Sequence, residues 1–109
     1  MEYILISRLK LNSKIHGGKF YRFTFIQVEN EGLYEATVDQ NFRNYSKWRE
    51  LITSDEPWGI YTNIHPTTTR ITNRGTFVAN ADYKPELVYK LNINEVRQLE
   101  KMLRKDKIL

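Results

Sequence analysis

The sequence predicts an all-β chain with added helices: five antiparallel strands, one helix between the third and fourth, and a second helix at the C-terminal end. Three observations lead there. Apolar and polar residues alternate with period two in several short segments. Glycine, asparagine and proline separate those segments, as turns require. Only two stretches, from Asn44 and from Asn92, change to helical spacing.

The first strand runs from Tyr3 to Leu11, with Tyr3, Leu5, Leu9 and Leu11 alternating against Arg8 and Lys10. "NSKIHGG" (Asn12 to Gly18) breaks the pattern and reads as a loop. Lys19 to Val28 is a second strand, rich in aromatic and β-branched residues. "ENEG" follows as a four-residue hairpin loop in which Gly32 supplies a positive φ. Leu33 to Asp39 is the third strand. Tyr45, Trp48, Leu51 and Ile52 then recur at helical spacing, with Asn44 as the expected N-cap and Pro57 barring continuation. "WGIYTNI" (Trp58 to Ile64) alternates again as a fourth strand, and the polar "HPTTTRITNRG" leads to a fifth, Thr76 to Ala81. Leu87 to Leu91 reads as a short extended piece. In the last helix, residues 92–107, Asn92 and Glu95 form a capping box and Leu91 and Val96 a hydrophobic staple. Val96, Leu99, Met102 and Leu103 supply its apolar stripe.

At 109 residues the chain is expected to form one domain. It has no cysteine, which excludes disulfides, thiol catalysis and thiolate metal sites. No apolar run reaches the length of a membrane span and no secretion signal opens the chain, so the expected location is cytoplasmic. The net charge of +4 is modest, but charge is segregated. Tyr3 to Val28 holds Arg8, Lys10, Lys14, Lys19 and Arg22 and no acid. Glu29 to Glu56 is dominated by acids. Pro57 to Ala81 is again free of acids and carries Arg70 and Arg74.

A four-residue loop would set Val28 opposite Leu33, and facing residues in an antiparallel pair share a side. One face then carries Tyr21, Phe23, Phe25, Tyr34, Ala36 and Val38 and reads as core. The other carries Phe20, Arg22, Thr24, Ile26, Glu35, Thr37 and Asp39 and mixes a ring, a guanidinium and hydroxyls, as a stacking and phosphate-contacting surface needs. In the fourth strand Trp58 reads as core or as a lid over the helix, and Tyr61 falls on the opposite side, as a stacking residue. Trp48 reads as helix-packing core.

By this order of elements, and by the placement of charge, the chain resembles the small single-strand-binding proteins of OB-fold type found in phages and mobile elements. The resemblance covers residues 3–91 and implies a five-stranded barrel plugged by the first helix. It further implies binding on the face of strands 2 and 3, between the loops joining strands 1–2 and 4–5. Those loops coincide with the two acid-free windows. The expected function is therefore non-enzymatic binding of single-stranded nucleic acid, DNA before RNA, with little sequence preference. The expected contacts are Lys14, Lys19, Phe20, Arg22, Tyr61, Arg70 and Arg74, with neither cofactor nor metal. Self-association through the first strand or the last helix is a further expectation.

Two alternatives come from the same residues. A phage-type module could dock on a host enzyme through the last helix. A small metal-independent nuclease could pair His16 with His65 and clamp phosphate with Arg70 or Arg74. No HxH, HxxxH or P-loop pattern is present to support metal or nucleotide chemistry.

Overall fold

The computed structural model describes residues 1–12, 18–71 and 75–104, the side chains of 68–71 and 104 excepted. Seven strands and two helices follow one another as β1 (Tyr3–Asn12), β2 (Lys19–Gln27), β3 (Leu33–Asp39), α1 (Asn44–Thr53), β4 (Gly59–Thr62), β5 (Pro66–Ile71), β6 (Phe77–Ala79), β7 (Glu86–Lys90) and α2 (Ile93–Arg104). The strands form one mixed sheet in the order β5-β6-β3-β2-β1-β4-β7. All neighbours are antiparallel except β3 and β6, which run parallel through Tyr34–Phe77 and Glu35–Val78. The expectation of five antiparallel strands is thus corrected. Two further strands are present, because "PTTTRI" forms β5 and the segment before Asn92 pairs with β4 as β7.

The two strands that follow one another as β4 and β5 lie near opposite ends of the sheet order, yet only residues 63–65 separate them. The sheet is therefore curled into an open half-barrel. Asn63, with φ 64°, makes the bend, and its side-chain amide donates to the Lys84 carbonyl.

The β2–β3 hairpin keeps the expected faces in a different register. Ile26, not Val28, stands opposite Leu33, and Phe23 faces Ala36. The loop is wider than expected. It is closed by Gln27 N–H donating to Gly32 and Glu31 N–H donating to Gln27, and the positive φ falls on Glu31 rather than Gly32. Because the slip is two residues, an even number, no side chain changes sides. Phe23, Phe25, Tyr34, Ala36 and Val38 are buried inside the curl.

β1 breaks its own alternation. Its pairing with β2 shifts between Leu5 and Ser7, so Leu5 faces Phe25 but Arg8 faces Phe23. A residue inserted in one strand exchanges the faces beyond it. Tyr3 and Leu5 point into the curl as expected. Leu9 and Leu11 do not; they stand opposite Arg22 and Phe20 on the outer face.

Two apolar clusters result. The inner one combines Tyr3, Leu5, Phe23, Phe25, Tyr34 and Val38 with Trp48, Leu51 and Ile52 of α1, which closes the curl. Trp48 packs 5.0 Å from Phe23 and its indole N–H donates to the Ala81 carbonyl. Asn44 is the first helical residue rather than the cap. Arg43 occupies the cap position without a side-chain bond, and the helix stops before Pro57. The outer cluster is Ile4, Ile6, Ile26, Leu91 and Val96, covered by α2 with Leu99 and Leu103 alongside. The capping box of α2 forms as its spacing predicts: Asn92 N–H donates to Glu95 at 3.1 Å, and Glu95 N–H to the Asn92 side chain at 2.9 Å. Met102, assigned to the stripe, is 71% exposed instead.

Candidate nucleic-acid interface

Once α2 has covered Ile4, Ile6 and Ile26, the rest of the outer face of β1, β2 and β3 stays open. Cross-strand pairing fixes its composition. Leu11 stands beside Phe20, which faces Asp39, and Leu9 stands beside Arg22, which faces Thr37. Phe20 and Arg22 are half-buried, so their orientations are set by neighbours while one side of each stays accessible. Leu9 is 48% exposed. Lys19, at the head of β2, is exposed and pairs with Asn12. Among the described residues neither Lys19 nor Arg22 has an ion-pair partner.

Toward the other end of the same strands the face deepens into a groove of about 470 Å³. Thr24 and Glu35 form its floor, with Ile6, Ser7 and Leu33 around them. Arg97 and Glu100 of α2 stand on one side and Thr76, ahead of β6, on the other. That Ile6 and Ser7 both line it is a direct consequence of the bulge, which turns consecutive residues to one side. Arg97 is held by the Ile6 carbonyl at 2.8 Å and by Glu100 at 2.8 Å, and its guanidinium lies 5.9 Å from the centre of the Trp58 ring. The wall is thus tied to the strand it covers.

The other expected contacts divide three ways. Lys14 and Arg74 lie outside the described residues, as does His16. Arg70 is placed on β5 by its backbone, with its side chain undescribed. Tyr61 is corrected: it is only 5% exposed and belongs to the inner core. It stands opposite Tyr3 in the β1–β4 ladder and therefore shares the inward face of Tyr3. Its ring meets Phe25 edge-on at 6.1 Å, and its hydroxyl donates to the Pro57 carbonyl. Burial pushes that hydroxyl up to about 12, with the nearby Glu50 carboxylate adding to the shift. Trp58, which precedes β4, is half-buried and touches both clusters.

His65 sits at the joint between β4 and β5. Its Nε2 lies 2.7 Å from the Asn63 side-chain oxygen and its ring 4.2 Å from that of Tyr83. Among the described residues no group of three or more His, Asp or Glu is gathered where it could hold a metal ion. Among the described residues no helix is long and apolar enough to cross a membrane.

Leu9, Leu11 and Arg97 are the surface residues that alternation did not find. The available signal was the run Tyr3-Ile4-Leu5-Ile6, apolar on both faces. Such a run requires cover on both sides, and hence a helix outside as well as one inside. No protein-family model matches this chain, and neither a curated protein nor a solved structure matches it.

Proposed function

We propose that the chain binds single-stranded nucleic acid, DNA before RNA, with little sequence preference, on the outer face of β2 and β3. The observation that carries the reading is the set Leu9, Leu11, Phe20 and Arg22, with Lys19 at its head. One half-buried ring, two exposed or part-exposed leucines and the Arg22 guanidinium share a face that no helix covers among the described residues, and the exposed Lys19 stands beside it at the start of β2. A base can stack on Phe20 against the leucines while its phosphates meet Arg22 and Lys19. Such stacking contributes roughly 1–3 kcal/mol per base, and each cation adds a salt-sensitive contact. Glu35 at the groove floor repels phosphate, so the backbone tracks the Lys19–Arg22 end and bases turn toward the groove. There Glu35 and Thr24 offer acceptors to exocyclic amines.

The connectivity supports the same reading. With β4 and β5 taken as one strand bent at residues 63–65, the order is a three-strand meander, a helix, a strand on β1 and a strand parallel to β3, with β7 added at the edge of β4. Apart from β7, that order supports an OB-like reading. The deciding experiment is fluorescence anisotropy of a labelled oligo-dT across a salt series. Binding that weakens as salt rises is expected; no binding at about 50 mM salt, or binding indifferent to salt, overturns the proposal.

A further inference from the structure

We propose that β7 pairs edge to edge with β7 of a second copy, giving a two-fold dimer. The strand is the last in the sheet: one edge is bonded to β4 and the other has no partner among the described residues. Its five residues, Glu86-Leu87-Val88-Tyr89-Lys90, are all exposed, with Leu87 at 52%, Val88 at 51% and Tyr89 at 61%. Open edges are ordinarily guarded by charges within the strand, by proline or by a bulge. Here the centre is wholly apolar and the charges stand only at the two ends, but the register with β4 shifts at Val88, so the pairing has to accommodate that irregularity. Glycine at position 59 is what admits this strand, since a Cβ there would meet the Tyr89 carbonyl oxygen at 2.6 Å.

The sequence of the strand selects its own partner. In an antiparallel pair centred on Val88, Glu86 of each copy faces Lys90 of the other, Leu87 faces Tyr89, and Val88 faces itself. A parallel pair would set Glu86 on Glu86 and Lys90 on Lys90, which like-charge repulsion disfavours. The favoured arrangement is self-complementary and closes at two. The surfaces expected to self-associate are occupied within the chain: β1 lies between β2 and β4, and Val96 of α2 is buried in the outer cluster. β7 is separated from β2 by β4 and β1, so pairing leaves the face of Phe20 and Arg22 open on both copies. The inference does not depend on what that face binds.

Sedimentation velocity of the full chain from about 1 μM to several hundred μM tests it, since a five-residue edge gives at most modest affinity. The expected result is a concentration-dependent shift from monomer to dimer and no further. Glu86→Lys sets like charges at both ends and raises the dissociation constant about tenfold or more; Glu86→Lys with Lys90→Glu restores it. Circular dichroism checks that each variant keeps its fold, which the exposure of both positions favours. A wild-type chain monomeric throughout, open-ended assembly, or a Glu86→Lys variant that associates like wild type overturns the proposal.

Discussion

Arg8 Nη1 lies 2.6 Å from the Leu51 carbonyl oxygen, joining the first strand to the end of the first helix. The same nitrogen reaches the carbonyls of Ile52 at 3.2 Å and Ser54 at 2.6 Å. The last carbonyls of a helix lack intrahelical partners and carry partial negative charge, so a cation there is doubly favourable. The bulge that follows Leu5 is what turns Arg8 inward. One inserted residue therefore does two things: it caps α1, and it moves Leu9 and Leu11 out to the surface.

Arg8→Met keeps most of the aliphatic stem and removes the donors. Charged hydrogen bonds to partly buried carbonyls support a loss of roughly 2 kcal/mol. Urea unfolding measures it, and a change within about 0.5 kcal/mol, the range of an ordinary surface substitution, would show that the cap does not matter.

Phe20 and Phe23 separate binding from stability. Phe23 is fully buried against Trp48, so Phe23→Ala is expected to cost about 3–5 kcal/mol. Phe20→Ala costs far less, yet weakens oligo-dT binding by roughly 1–3 kcal/mol. Leu9→Ala follows Phe20→Ala in direction. Thermal melts paired with anisotropy titrations distinguish the two rings; equal destabilisation by both would place Phe20 in the core.

Lys19 and Arg22 are expected to act through phosphate. Changing both to alanine lowers the slope of log affinity against log salt by about 2, one for each cation. A slope that does not move places the phosphates elsewhere.

Tyr61 gives the fold a pH limit on the alkaline side. Its hydroxyl titrates near 12 in the folded chain but near 10 when unfolded. The raised value means its contribution is fully present below about pH 10 and is lost as pH climbs toward 12. Two pH units correspond to about 2–3 kcal/mol. Tyr3, also raised by burial, adds its own loss in the same direction. Denaturant midpoints from pH 9 to about 12 are expected to fall steeply in wild type and less in Tyr61→Phe. An equal fall in both would remove Tyr61 as the cause.

Most elements were legible in the sequence because their signals are local. The aromatic alternation of β2, the capping box of Asn92 and Glu95, and the halt before Pro57 each depend on a few neighbouring residues. So does the division of β2 and β3 into faces, which survived a register error because the error was even. β5 was not legible: "PTTTRI" is polar, and it pairs as a strand only because β6 is brought beside it. Tyr61 was misplaced for a related reason, since its side is set by the ladder to Tyr3 rather than by counting from Trp58.

The sequence by itself determined most strands and both helices, β5 excepted, which rings of β2 point inward, and how α2 begins. Tertiary structure alone decided the outer surface. The bulge in β1 is fixed by long-range pairing with β2, and α2 claims Ile4, Ile6 and Ile26 by folding back on them. Local periodicity can assign a side chain to one of two faces. Only the packing of distant segments decides which face is left to solvent, and here it leaves Leu9, Leu11, Phe20 and Arg22.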